Sequence, residues 1–160
     1  MSRSERPKAE GMCAAAATLI GVGLLMTLAG LIYLLVSYPS LPEVIPTHFG
    51  IHGEPDAWGP RGSLIGLGLV WLLLSVLVAG LARYPHVANY PVEVTGQNAA
   101  RLYRIASQLL GTTLLGVSAL MWGILRLTVT GTPQTPLFVI GLVLLIGGII
   151  VGLVRMVRAR

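Results

Sequence analysis

Four long intervals of the chain lack charged side chains, and this feature restricts the possible folds more than any other. No Lys, Arg, Asp or Glu occurs within residues 11–42, 62–82, 105–125 or 127–154. An α-helix rises about 1.5 Å per residue, so about 20 apolar residues cross the roughly 30 Å hydrocarbon core of a bilayer. Each interval is long enough for one crossing, and together they predict four transmembrane helices.

The composition agrees with lipid as the solvent of this chain. Hydrophobic residues make up 54% of the sequence and charged residues 11%, whereas soluble domains average about 25% charged residues. Ion-coupled transporters and intramembrane proteases place ionisable groups inside their spans, but these spans offer hydroxyl side chains and Gln108. The sequence therefore predicts a non-catalytic membrane protein with the lipid bilayer as a partner, no catalytic residues and no cofactor.

The predicted fold is an all-α integral membrane protein, a single domain over residues 1–160 with four helices in a compact bundle. An ordered loop rich in proline and glycine connects the first two helices, and a second polar segment connects the next two. The predicted helices cover about 14–38, 63–82, 105–125 and 137–154, with the outer loop at about 39–62 and the inner segment at about 83–104.

The eleven Lys and Arg residues are distributed unevenly between the two sides that this topology creates. Nine lie on the side of the termini and the inner segment, while Arg61 and Arg126 lie on the side of the outer loop. Because cytoplasmic loops carry the excess of Lys and Arg, we predict a multi-pass protein with both termini in the cytoplasm. Topology thus explains the net charge of +5, and we predict no nucleic-acid partner.

Pairs of small residues four positions apart recur in the predicted helices. Lipid provides no hydrophobic force between helices, so close packing of small residues is what holds them together. The pairs favour close packing, either within one chain or in a homo-oligomer. They are Ala17/Gly21, Gly62/Gly66, Ala119/Gly123 and Gly148/Gly152.

The outer loop holds a possible metal-ligand set. His48, His52, Glu54 and Asp56 place two imidazoles and two carboxylates within nine residues, a combination that suits zinc or another divalent ion. The prolines and glycines between them exclude a helix that would bring both histidines to one face, and structural zinc usually takes thiolate ligands. We therefore predict no metal here and keep a metal-dependent envelope enzyme as the third hypothesis for function.

The same loop has the features of a fixed cap on the bundle. Ile45, Phe49 and Trp58 alternate with prolines and glycines, and a flexible tether would not need such apolar residues. An ordered loop on a rigid scaffold is a common place for binding specificity. A rigid lid with no binding role is the simpler alternative.

Three side chains of the loop are expected to form a recognition cluster. Asp56 follows a proline and is placed to accept backbone N–H bonds in the Gly53–Gly59 turn. We expect His48 to donate to a loop carbonyl or carboxylate. We expect Trp58, with its single N–H, to lie at the membrane surface.

The stretch LPEVIPTHFGIHGEPDAWGPRG resembles the signature of bacterial membrane proteins grouped as domain of unknown function 1648. The resemblance implies a bacterial inner-membrane location. The chain departs from the pattern at Gly50, where Asn is common, and at His52, where a small residue is common. The matching positions are Leu41, Pro42, Ile45, Pro46, His48, Phe49, Gly53, Pro55, Asp56, Trp58 and Gly59.

The inner segment NYPVEVTGQNAARLYR is similar to the cytoplasmic segment of the same family. We expect a short helix that starts near Thr95 to Asn98 and is capped by one of these residues. Two arginines three apart would then share a face and anchor the helix at the headgroups or dock a cytoplasmic partner. The positions concerned are Pro91, Val92, Asn98, Arg101, Tyr103 and Arg104.

What the resemblance implies for function is recognition without catalysis. The same domain type forms the N-terminal part of SdpI-like immunity proteins, which protect a producing cell from its own secreted toxin and relay its presence inward. The leading hypothesis is therefore an outer loop that recognises an extracellular peptide, lipid or membrane-protein partner. The alternative is a scaffold or accessory subunit of a membrane complex.

Overall fold

The computed structural model describes residues 6–9, 11–50, 53–132 and 135–159. It contains four helical spans that are long and apolar enough to cross a membrane, at 14–40, 62–83, 99–130 and 136–157, which confirms the predicted number. The helices are α1 (Ala14–Ser37), α2 (Gly62–Arg83), α3 (Ala99–Thr130), α4 (Thr135–Leu142) and α5 (Gly148–Val157), and the strands are β1 (Val44–Phe49) and β2 (Pro55–Pro60).

The third helix is longer than predicted. Its start, directly after Asn98, agrees with the sequence, but no break separates a short inner helix from the span, and 32 residues form one helix. The reason is local, because the first turn consists of Ala, Leu and Arg, which are strong helix formers, and of Tyr. The Asn98 carboxamide oxygen accepts the Thr95 N–H at 2.8 Å, so this side chain fixes the turn before the helix and does not cap the first helical amides.

Helix α3 is the central element, and α1 and α2 pack on it. Three buried hydroxyl groups, one from each helix, meet inside this part of the bundle. The Thr27 Oγ1 lies 2.9 Å from the Ser75 Oγ and 3.5 Å from the Ser118 Oγ. Hydrogen bonds between transmembrane helices are each worth about 0.6 kcal/mol on average, so the cluster specifies the packing of the three helices more than it stabilises it.

The fourth span consists of α4 and α5 joined by a π-helical turn, Val143–Gly147. It packs along α3 through glycines. A Cβ on Gly116 would lie 2.9 Å from the Gly141 carbonyl oxygen, and a Cβ on Gly152 would lie 3.0 Å from the Leu109 side chain. The predicted compact bundle is therefore a three-helix core of α1, α2 and α3 with the fourth span applied to α3.

The predicted small-residue pairs divide into two groups. Gly123 faces the Phe138 ring and Gly148 faces Thr112, so the pairs in α3 and α5 join the fourth span to the core. Gly21, Gly62 and Gly66 have open space where a Cβ would stand. The pairs in α1 and α2 therefore do not pack within the described part of the chain.

The outer loop is a β-hairpin, a local element that the prediction of a helical membrane protein with a proline- and glycine-rich loop did not include. Strands β1 and β2 pair antiparallel, with Val44 opposite Pro60 and Phe49 opposite Pro55. A two-stranded sheet has two free edges, which tolerate the prolines that suggested an irregular loop. The turn is closed by the Gly50 N–H to the Glu54 carbonyl at 2.8 Å, and Gly53 adopts a φ of +85° that favours glycine.

The molecule has two distinct ends. We call them the hairpin end, where α2 begins and α3 ends, and the termini end, where α1 and α3 begin. At the termini end the Arg6 Nη1 donates to the Ala88 carbonyl at 2.7 Å. Ala159 is buried there in one cluster with Val94 and Ala99. Both described chain ends therefore lie on the same side of the bundle.

Candidate functional site

The hairpin is docked on the bundle by one side chain of β1. Ile45 is 1% exposed and belongs to a buried cluster with residues from α1, α2 and α3. Its neighbour Val44 is 57% exposed, as the alternation of side chains along a strand requires. The other members of the cluster are Leu34, Leu41, Leu64, Trp71 and Leu125.

Arg61 closes the base of the hairpin. Its backbone N–H donates to the Glu43 carbonyl at 2.9 Å, and its Nη1 donates to the Leu41 carbonyl at 3.0 Å. The guanidinium carbon lies 5.1 Å from the centroid of the Tyr38 ring, within the range of a cation–π contact. Both strands are thus tied to the end of α1 as well as to the start of α2.

A cavity of about 670 Å³ lies between β1 and the helices beneath it. Its volume falls within the range of about 300–1,000 Å³ that is typical of small-molecule sites. Most of its lining is aliphatic or aromatic, with hydroxyl groups of threonine and serine and the His48 ring at the edge. The lining residues are Ile45 to Gly50 and Gly53 from the hairpin, Ser63, Leu64 and Leu67 from α2, Ile124, Leu127 and Thr128 from α3, and Phe138 from α4.

A contact between an imidazole and a carboxylate joins the two strands of the hairpin beside this cavity. The His48 Nδ1 lies 2.5 Å from the Asp56 Oδ1, and the two side chains are 70% and 49% exposed. The expected contact between His48 and a loop carboxylate is therefore present. The expected Asx-type turn is not, because Asp56 is in strand β2, where its carboxylate stands off the sheet and meets the His48 imidazole.

Trp58 lies on the exposed surface of the hairpin. It is opposite Pro46 in the strand register, and its side chain is 61% exposed. An exposed indole on this outermost element has the position that an interfacial tryptophan takes in membrane proteins. Contact of Trp58 with headgroups remains a prediction.

The structure tests the metal hypothesis only in part. Among the described residues, no three His, Cys, Asp or Glu side chains come together. The Glu54 carboxylate lies against Gly50, where a Cβ would stand 2.5 Å from its Oε1. His52, the fourth candidate ligand, lies outside the described residues. The hypothesis that joins both histidines to one ion therefore stays untested.

The predicted inner-segment residues are at the opposite end of the molecule. Pro91, Arg101 and Arg104 are exposed, whereas Tyr103 is buried. The Tyr103 ring lies 5.9 Å from the Tyr90 ring, centroid to centroid. These residues take no part in the cavity beneath the hairpin.

Sequence reasoning missed the part of the cavity wall that the helices supply, which is seven of the fourteen described lining residues. Ile124, Leu127, Thr128 and Phe138 come from helices distant in sequence and carry no motif. The available signal was weak: Thr128 is a polar residue near the end of an apolar span, and Phe138 is one of two phenylalanines in the chain.

Comparison with known proteins finds a family similarity at the hairpin end. Residues 25–72 match the family described as Domain of unknown function (DUF1648), and they comprise the second half of α1, the hairpin and the first half of α2. An uncharacterised protein of Archaeoglobus fulgidus is 37% identical over an alignment of 68 positions, which covers 38% of this chain and 37% of that protein. The chain thus matches less than two fifths of this relative's length. No solved structure matches the chain. This match confirms, over residues 25–72, the resemblance predicted from the loop sequence.

Proposed function

We propose that this protein binds an extracytoplasmic amphipathic ligand beneath its hairpin, without catalysis. The observation that carries the proposal is the cavity of about 670 Å³ that is bordered by β1 and by α2, α3 and α4. The hairpin that roofs it belongs to the segment that the family shares. A rigid loop over a largely apolar cavity with a few polar groups is the usual form of a binding site.

The chemistry of the lining defines the ligand class. Leu64, Leu67, Leu127 and Phe138 form apolar walls that suit an acyl chain or a similar hydrocarbon group. The His48–Asp56 pair offers a polar, solvent-accessible partner for a polar head. We infer a ligand with one apolar chain and one polar end, taken from the extracytoplasmic face or outer leaflet.

The cellular setting of the proposal follows from the charge distribution. We propose a location in the bacterial cytoplasmic membrane, with both termini in the cytoplasm and the hairpin outside. Binding would then lead to sequestration or to a signal across the membrane, as in the immunity proteins that share this domain type. A membrane-protein partner or a second copy of the chain is a further possibility for the same outer surface.

Photo-crosslinking with a diazirine fatty acid tests the site. The full-length protein is placed in phosphatidylcholine nanodiscs with the probe as a minor component, and labelled residues are mapped by mass spectrometry. We expect labelling of cavity residues such as Phe49 and Leu127 in excess of the lipid-facing surface of α2. Leu67→Trp should lower cavity labelling about tenfold, because the larger ring fills part of the cavity. A tenfold loss corresponds to about 1.4 kcal/mol of binding free energy.

A matched control separates the cavity from the surrounding lipid. Leu69→Trp changes a residue on the same helix that is exposed on the outside of the bundle. It should leave cavity labelling unchanged. Equal labelling of the cavity and the lipid-facing surface in the unsubstituted protein would contradict the proposal.

A further inference from the structure

A second cavity, of about 620 Å³, lies at the termini end between the start of α3 and the end of α5. Arginines dominate its lining, two from α3 and two from the last turn of α5 and the residue directly after it, and no Asp or Glu is found among the described residues that line it. The two pairs are far apart in the sequence. The arginines are Arg101, Arg104, Arg155 and Arg158.

Apolar packing beside the arginines brings the two pairs together. The two arginines of α3 are three positions apart and share one of its faces, while Arg155 in the last turn of α5 and Arg158 at its C-cap form the second pair. Leu102 and Ile105 of α3 are buried in one cluster with Met156 and Ala159 at the end of the chain. The two pairs are therefore held side by side by neighbouring side chains that do not depend on charge.

The positive charge of this cavity is not neutralised by the described residues that line it. The Arg155 Nη1 donates to the Gln108 Oε1 at 3.1 Å, which is a neutral acceptor. Guanidinium groups present paired N–H donors that match the oxygens of a phosphate. Four such groups around one cavity repel one another, and a bound phosphate ester would turn that repulsion into attraction.

The position of the cavity relative to the membrane favours a lipid over a free anion. The spans begin at residue 99 in α3 and end at residue 157 in α5, so all four arginines lie within about two turns of a span end, at headgroup level. Val151 and Val154 of α5 are exposed on the membrane side of the cavity. A cationic cavity next to exposed aliphatic side chains is complementary to a headgroup with its acyl chains.

We propose that this arginine-lined cavity binds the phosphate-bearing headgroup of an anionic phospholipid. The guanidinium groups contact the phosphate oxygens, and the acyl chains lie along the exposed aliphatic side chains of α5. Basic cavities between transmembrane helices at the cytoplasmic side are suited to such headgroups. The site is at the opposite end from the hairpin and is independent of the function proposed above.

Native mass spectrometry of the delipidated full-length protein tests the proposal. The protein is titrated with phosphatidylglycerol and, separately, with phosphatidylcholine, and the bound lipid is counted. We expect preferential retention of phosphatidylglycerol. The double variant Arg101→Gln/Arg155→Gln should weaken it about tenfold, because hydrogen bonds to charged groups are the strong ones. Arg104→Gln/Arg158→Gln provides an independent second pair should the first fail to fold, as judged by circular dichroism.

A control variant removes the same charge from the same end of the molecule. Lys8→Gln/Arg83→Gln also replaces two exposed cations, and neither residue lines the cavity. Its phosphatidylglycerol retention should stay within about twofold of the unsubstituted protein. Equal losses in the control and cavity variants would overturn the proposal in favour of unspecific surface charge. Displacement of the lipid by millimolar inorganic phosphate would overturn the assignment to a lipid.

Discussion

An arginine that contacts a carbonyl and a tyrosine ring lies at each end of the molecule, but the two arginines come from different parts of the chain. At the hairpin end, Arg61 belongs to the loop it secures and lies over Tyr38. At the termini end, Arg6 comes from the N-terminal segment, bonds the distant Ala88 carbonyl and lies over Tyr90. Arg61 thus joins residues that are near it in the sequence, whereas Arg6 joins segments that are far apart in the sequence.

The two ends also differ in what they enclose. The hairpin covers a largely apolar cavity, while α3 and α5 border a cavity lined by arginines. Both cavities have similar volumes, so the difference lies in chemistry and not in size. Helix α3 therefore borders a largely apolar cavity near one of its ends and a cationic cavity near the other.

The largest expected effect concerns which face each end occupies. An alkaline phosphatase fusion at Gly53 should be active and one at the C-terminus inactive, because the excess of arginine and lysine retains the termini end in the cytoplasm. A green fluorescent protein fusion at the C-terminus should fluoresce and serves as the reciprocal control. A cytoplasmic signal from Gly53 would reverse the assignment of the two ends.

The second prediction tests how the hairpin end is held together. Ile45→Ala should destabilise the docked hairpin by about 2–4 kcal/mol, the usual cost of truncating a fully buried isoleucine. Thermal unfolding in one detergent measures the effect. Val44→Ala, at the exposed neighbouring position, is the control and should change stability by less than about 0.5 kcal/mol. Similar losses in both variants would show that the hairpin is not docked through Ile45.

The third prediction concerns the termini end at alkaline pH. Burial, together with the neighbouring Tyr103, raises the pKa of the Tyr90 phenol above its ordinary value, and Arg6 opposes this shift. In the unfolded chain the phenol ionises near pH 10, before it does in the folded protein. The stabilisation from the neutral phenol is therefore complete below about pH 10 and is lost as the pH rises further.

Unfolding midpoints measured across that range check the effect. Tyr90→Phe should flatten the decline in stability above about pH 10. Tyr84→Phe, at an exposed tyrosine of the same end, should leave the decline as it is. An identical pH dependence in the unsubstituted protein and in Tyr90→Phe would show that ionisation of Tyr90 does not cause the decline in stability.

The smallest expected effect belongs to the His48–Asp56 pair. Both side chains are substantially exposed, and exposed ion pairs contribute about 0–1 kcal/mol. A double-mutant cycle with His48→Ala and Asp56→Ala should give a coupling energy in that range. Both His48→Ala and Asp56→Ala should instead reduce crosslinking of the cavity probe. His52→Ala should have little effect on stability or on crosslinking.

Elemental analysis of the same variants tests the metal alternative for this pair. We expect no stoichiometric metal in the purified protein. Stoichiometric zinc that is lost equally in His48→Ala and His52→Ala would contradict the recognition role and establish a metal site.

Local sequence predicted the spans well because the length of an apolar interval is a local property. The predicted first and second helices, 14–38 and 63–82, agree with α1 and α2 to within one residue. The third was predicted too short at both ends. Arg104 and Arg126 suggested its limits, but the helix continues past both residues. The hairpin was missed because prolines interrupt the hydrogen bonding of a central strand and so argued against a sheet. In a two-stranded sheet both strands are edge strands, which tolerate proline.

By itself the sequence determined the number of spans, the side on which cations concentrate and the similarity of residues 25–72 to a known family. These properties depend on hydrophobic length, on charge position and on a contiguous motif. Tertiary structure alone decided that Ile45 docks the hairpin, that Phe138 completes one cavity and that Arg101 meets Arg155 in another. Such contacts join residues that are distant along the chain, and they depend on which helix faces pack together, which hydrophobicity alone does not specify.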